Sequence, residues 1–496
     1  MFQNAMLKKD VQTANGALSY SSPNSNIYDG RISLFFKCVR GIQTNDLINY
    51  LYRSSNENII DTFILSFYTR NCRGGKGERK IGRQMFTWLF QNFPNEFEKI
   101  YHLIPYYGRW DDMFCFFPNV LTTNHIVLQN KIVQFVCNQL KKDYRDMLNG
   151  NPISLCGKWC VSEKSSKDKL YNIFKLLCTT MNMSQKQLRQ TISQLRNYLK
   201  IVETYMCKKQ WNSIDFNEVP SCAMNKLKKA FEKHTPIEFK NWKDHLYSGK
   251  TKINACQLFP HEIIRSIRRN SYADEVSIAQ WKCMESLIAQ NKKLKKTLTI
   301  VDTSTSMMKP NFLPLDMACS LGILISNNVE GVFHNNVITF NENPEFIILH
   351  NDTIQNRYNQ IKNIPWGQST NLEKTFELIL TKATNANVKQ EDMPEQLLII
   401  SDMQFNKCSK NETNFEMIEQ KYQDRGYKRP NLIFWNVNGN STDFPVSVSD
   451  KNTCILSGST PSVINLLINA ETIETVYLLN EVLKDNNYES IRNLLT

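Results

Sequence analysis

Thr297 to Val301 form an unbroken run of apolar and β-branched residues that opens directly into Asp302-Thr303-Ser304-Thr305-Ser306. The run reads as a strand buried on both faces, which is what a parallel sheet with helices on each side requires. The loop behind it alternates a carboxylate and two hydroxyls on one side of an extended backbone. These are hard oxygen donors, suited to Mg²⁺ or Mn²⁺ rather than to zinc. Open α/β sheets bind their ligands at the carboxyl ends of their strands, where this loop falls.

Two later stretches repeat the pattern. "IPWGQSTNLEKTFELIL" is a glycine-containing loop with Thr370 and Asn371 at the start of an amphipathic helix. "EQLLIISDMQF" carries a second buried strand, Leu397 to Ile400, that ends in Asp402. Turn formation and helix capping also favour Asp and Ser, but they do not account for three such motifs in order on alternating strands and helices. From 297 onward the expected order is strand, helix, strand, strand, helix, strand, helix, strand, a doubly wound α/β sheet. "GVFHNNVITF" and "EFIILH" read as a hairpin-connected pair at one sheet edge.

The five positions Asp302, Ser304, Ser306, Thr370 and Asp402 resemble the metal-ion-dependent adhesion site of the von Willebrand factor A domain. The resemblance implies one divalent cation, Mg²⁺ or Mn²⁺, held by these five residues. It also implies an acidic protein ligand that completes the coordination.

Charge divides the chain. Residues 297–496 hold 15 Lys+Arg against 23 Asp+Glu, and residues 1–296 hold 45 against 24. The net charges are −8 and +21, so a basic, nucleic-acid-binding half is joined to an acidic, metal-binding half. Lysine bias from an A·T-rich genome is the plain alternative, but it would act on both halves alike. No apolar run is long enough for a membrane span, and the start of the chain lacks the apolar core of a signal peptide. The 14 cysteines contain no Cys-x-x-Cys pair and read as thiols in a reducing compartment.

Residues 1–30 are Asn- and Ser-rich and read as a flexible arm. From 31 to 296 the periodicity is helical. Leu188, Ile192, Leu195 and Leu199 mark one face of a helix that starts at Ser184. Many helices on short links point to a HEAT-like repeat array. Inside this region "TRNCRGGKGERKIGRQMF" puts Arg73, Lys76, Arg79, Lys80 and Arg83 around three glycines. Open loop amides and arginines together suit phosphate, although Gly77 stands where a Walker loop has Ser or Thr. "IPYYGRWDDMF" supplies aromatic core residues and Asp111, a partner for a nearby cation. Lys158 belongs to the basic stretch "GKWCVSEKSSKDK".

"RGGKGER", "IPYYGRWDDM", "GKW" and "KIVETYMCKKQWNSIDFNEVPSCAM" resemble, in this order, the DUF2828 family, itself similar to the TROVE proteins that include the Ro autoantigen. The resemblance implies a helical-repeat ring closed by a von Willebrand A domain. It implies a ribonucleoprotein scaffold that binds RNA on the basic helical part, with Arg73, Lys76, Arg79, Lys80, Arg83 and Lys158 as candidate contacts. No His base or second carboxylate cluster accompanies the metal motif, so no catalytic residue is expected. A cytoplasmic location follows, or a virion-associated one if the source is a large DNA virus.

Overall fold

The computed structural model describes residues 11–20, 29–117, 123–255, 257–290, 294, 296–340, 343–350, 352–364, 371–406, 414–440, 444–446 and 450–496. Thr370 of the expected metal set lies outside them. The chain forms two compact units. One comprises residues 1–65 and 253–485, the other residues 66–252 and 486–496. These units cut the chain elsewhere than the sequence-based boundaries at 30 and 296. The first 65 residues and residues 253–296 belong with the sheet, and the last 11 with the helices.

The sheet-bearing unit contains a short hairpin, β1 (Val11–Gln12) and β2 (Leu18–Ser19). Its main sheet comprises β3 (Thr297–Asp302), β4 (Asn336–Phe340), β5 (Glu345–Ile348), β6 (Gln396–Ser401), β7 (Asn431–Asn436) and β8 (Thr453–Ser457). The strand order is β5-β4-β3-β6-β7-β8. All pairings are parallel except β4–β5, the expected edge hairpin. Every residue of β3, β4 and β8 is buried, as the unbroken apolar runs require. The expected single helix before β6 is two, Ile354–Lys362 and Leu372–Asn385.

Helix Leu313–Asn327 is buried on all sides from Pro314 to Ser326 and packs directly on β3. A Cβ at Gly322 would lie 2.4 Å from the Val301 side chain, so only glycine permits this approach. Asp316 on the same helix is 1% exposed and receives both ends of the Arg268 guanidinium, at 2.8 and 3.0 Å. Arg268 lies on helix Pro260–Asn270, and this bidentate pair fastens the 253–296 segment to the sheet.

Among the described residues of the second unit, every regular element is a helix. Consecutive helices pack in pairs: Arg79–Asn92 with Pro94–Ile100, Ile173–Met181 with Gln185–Tyr198, and Ser221–His234 with Pro236–Tyr247. Pro94 and Pro236 each sit in a first turn, where a missing N–H costs nothing and the preceding helix must stop. Ser184 and Gln187 form the expected capping box. Phe67 packs on Phe86, and Phe90, Phe97 and Phe116 contact one another, all five rings buried.

Charge follows these units. The helical unit carries 32 Lys+Arg against 16 Asp+Glu, a net of +16, and the sheet-bearing unit carries 28 against 31, a net of −3. No helix among the described residues is long and apolar enough to cross a membrane.

Candidate functional site

β3 and β6 are adjacent and parallel, with Val301 opposite Ile400, so Asp302 and Ser401 follow side by side. From β3 the sheet extends to β4 on one side and to β6 on the other. The strand order reverses here, which opens a crevice at the carboxyl ends of these two strands. Asp302 and Asp402 sit in that crevice, 0% and 4% exposed. The Ser304 amide donates to one Asp302 oxygen at 2.9 Å and the Ser401 hydroxyl to the other at 2.6 Å. Ser304 and Ser306 hydroxyls lie 3.0 Å apart. Burial, and then the charge of Asp402, push the Asp302 carboxyl up to about 7.

The residues present fit a hard divalent cation. Two carboxylates and two hydroxyls converge, all oxygen donors. Two acids held close in a dry site raise each other's electrostatic cost, and a cation between them relieves it. Among the described residues no group of three His, Cys, Asp or Glu gathers for a metal, so the hydroxyls are indispensable to any such site. Asn371, which follows Thr370, caps the helix behind the loop by accepting from the Lys374 amide at 2.9 Å.

Two supporting elements have no signal in the sequence. Ser401, one residue before Asp402, orients Asp302 and also accepts from the Met403 amide at 3.0 Å. Met403 is fully buried at φ 67°, a left-handed conformation that costs a non-glycine residue about 1–2 kcal/mol and turns the chain sharply behind Asp402.

The second element corrects the reading of a flexible arm for residues 11–20; residues 1–10 and 21–28 of that arm lie outside the described residues. The β1–β2 hairpin is docked on the loop that follows Asp402. Gln404 is held from both ends, its side chain by the Ala14 amide and its carbonyl by Asn15 Nδ2, each at 2.8 Å. Thr13 Oγ1 donates to the Phe405 carbonyl, and Gly16 pairs with Asn406. The Gln404 amide in turn donates to Asp402 at 3.3 Å. This hairpin is polar, and its partner lies nearly four hundred residues away, so no local signal marks it. A Thr13→Val, Asn15→Ala double variant is expected to weaken Mn²⁺ binding about 10-fold, the scale of outer-sphere support. Isothermal calorimetry on the intact chain measures it, and an unchanged affinity would mean that the hairpin leaves Asp402 alone.

The basic candidates divide. Arg73, Arg79 and Lys80 are exposed, Arg83 and Lys158 are half-buried, and Lys76 is fully buried. The glycine loop does not present open amides to an anion. Those of Arg73 and Gly74 donate to the Asn71 side chain, Lys76 to Tyr68, Gly77 to Asn71 and Glu78 to Thr69. Asn71 closes the loop from inside, a role its side chain performs in many turns.

Arg79 and Arg83 instead reach the acids of "GRWDD". Arg79, Arg83 and Arg109 bind Asp111, while Arg83 and Arg70 bind Asp112. Burial alone pushes the Asp111 carboxyl up, but the Arg83 and Arg109 guanidiniums outweigh it and hold it at about 2. A Cβ on Gly108 would lie 2.4 Å from Asp112 Oδ2, so glycine is what lets that carboxylate reach the Arg109 amide at 2.9 Å. Tyr107 is core as expected, whereas Tyr106 is 67% exposed.

Comparison with known proteins gives matches on both parts of the chain. Residues 121–300 match the domain of unknown function DUF2828, and residues 296–493 match the domain of unknown function DUF7788. "Uncharacterized protein L728" of Acanthamoeba polyphaga mimivirus is 29% identical over 507 residues, which cover 95% of this chain and 87% of that protein. The crystal structure of the Deinococcus radiodurans RO (RSR) protein aligns with 89% of this chain and 94% of its own, at 11% identity and a TM-score of 0.38. The chain is thus similar to the DUF2828 family over residues 121–300 and to the DUF7788 domain over residues 296–493, the second match taking up where the first ends.

Proposed function

We propose that this protein is a ribonucleoprotein scaffold. Its helical unit holds RNA through phosphate contacts, and its sheet-bearing unit holds one Mg²⁺ or Mn²⁺ and, through it, an acidic group of a protein partner. The observation that carries the reading is the concentration of charge: +16 on the helical unit against −3 on the rest. A polyanion gains from such a surface by releasing counterions, independently of its sequence. The resemblance of the helical motifs to TROVE proteins points the same way. The role is one of binding rather than catalysis. His334, near the sheet, is occupied with the Val329 carbonyl at 3.1 Å and with Asn335. The cytoplasm, or a virus particle, is the setting we assign to it.

The test is titration of the full chain with a 20-nucleotide single-stranded RNA across a range of salt. Four or more phosphate contacts give a log–log slope of about −3 or steeper, at about −0.7 per contact. Chelator, or Ser304→Ala, is expected to leave RNA affinity within about threefold, roughly 0.65 kcal/mol. Absent or salt-insensitive binding would favour a metal-dependent protein-assembly role without RNA. Loss of RNA on chelation would instead mean that the cation grips a phosphate directly, and a hydrolase reading would come forward.

A further inference from the structure

Asp111 and Asp112 are surrounded by more positive charge than they neutralise. Four arginines, Arg70, Arg79, Arg83 and Arg109, bind the two carboxylates. Lys167 adds a fifth cation, donating to the Asp111 carbonyl at 3.1 Å. The cluster grades from dry to wet. The Arg70 side chain is 3% exposed, Arg83 18%, Arg109 27% and Arg79 49%. Its floor is therefore structural and its rim open. Burial, followed by the nearby Arg83, lowers the pKa of both Arg79 and Lys167.

The rim leads into a groove. The Arg109 guanidinium lies 4.0 Å from the centre of the Trp159 ring. Trp159 and Lys158 line an open groove of about 800 Å³ that continues to Arg189, Arg196 and Lys208. Glu163, one of its acids, is already paired with Arg189. Arg196 is spent on the carbonyls of Gly157 and Cys160 and on Ser162. The groove thus offers an indole beside a lysine, next to a guanidinium fork. Single-stranded nucleic acid is bound by this combination, the aromatic taking a base and the cations tracking the backbone.

We propose that a backbone phosphate of single-stranded RNA docks on Arg79, Arg109 and Lys167, and that the strand runs on past Trp159 and Lys158 into the groove. Guanidinium forks match paired phosphate oxygens. Arg79 and Arg109 share the same Asp111 oxygen, so an incoming anion takes donors that are already crowded. This placement rests on the RNA-binding reading and moves the contact away from the glycine loop, whose amides are used internally.

The experiment compares two double variants of the full chain. Arg79→Ala/Lys167→Ala strips the cluster rim. Arg73→Ala/Lys80→Ala removes the same charge from the glycine loop and the start of the helix behind it. Binding of a fluorescent 20-nucleotide oligouridine is followed by anisotropy from low to moderate salt, with thermal melts to verify folding. Should the alanine pair melt early, Arg79→Gln/Lys167→Gln replaces it. The cluster pair is expected to lose about 10-fold in affinity or more, with a salt slope shallower by about 1.4 for two lost contacts. The loop pair is expected to lose less than about 3-fold, because long-range charge is screened within a Debye length. Equal losses in both pairs overturn the location and leave the RNA reading standing. No binding by the wild type overturns both. Displacement of the RNA by poly-aspartate of matching charge at equal concentration identifies an acidic peptide as the ligand and overturns the proposal.

Discussion

Asp112→Ala is expected to destabilise the helical unit by about 3–5 kcal/mol, the cost of removing one partner from a buried charge pair. Asp112 is fully buried and accepts Arg70 Nε at 2.8 Å and Arg83 Nε at 2.5 Å, together with the Arg109 amide. Alanine leaves the Arg70 guanidinium, equally buried, without its charged partner. The rim behaves differently. Arg79 is half exposed, and truncating it should cost less than about 1 kcal/mol, the usual value of a solvent-exposed pair. Urea unfolding of both variants measures the contrast. If Asp112→Ala unfolds within about 1 kcal/mol of wild type, the "GRWDD" acids do not hold this unit together.

The second large effect concerns the cation. Asp302→Asn and Asp402→Asn are each expected to lower Mn²⁺ affinity by more than about 100-fold, or about 2.8 kcal/mol. Asparagine suits the experiment better than alanine. Asp302 is fully buried between Ser304 and Ser401, and asparagine keeps its shape while removing the charge. The carboxyl that burial and Asp402 push up to about 7 is one that a cation would stabilise in its charged form. Calorimetry with Mn²⁺ on both variants decides the matter, and wild-type affinity in both would sink the assignment of the site.

The sheet and the polar crevice at its strand ends were legible because the signals are local. Two apolar runs and the polar residues that end them mark β3, β6 and the loop behind each, and parallel pairing then brings Asp302 beside Ser401. The basic loop was legible only in composition. Glycines and arginines announce room and charge, but whether amides face outward depends on Asn71, whose side chain turns in to cap them. The pairing of Asp111 with a nearby cation was foreseen from "GRWDD". Its three arginines were not, because Arg79 and Arg83 come from a helix some thirty residues earlier. The docked hairpin was illegible, since a polar stretch reads as unstructured until a distant loop supplies its hydrogen-bond partners.

The division of the chain into units has a consequence for synthesis. Residues 1–65 share a unit with 253–485, and the helical unit is encoded between them. Helix Asp29–Lys37 packs on β8 and on helix Thr475–Lys484. A ribosome adding about 5–20 residues per second needs on the order of half a minute to deliver those partners. Throughout that time the apolar side chains Ile32, Leu34, Phe35 and Phe36 have nothing of the sheet to cover them. The helical unit can be largely complete before the sheet has its first central strand. Slow elongation should therefore leave this protein most vulnerable to aggregation at helix Asp29–Lys37, and a chaperone acting there would matter more than one acting on the finished sheet.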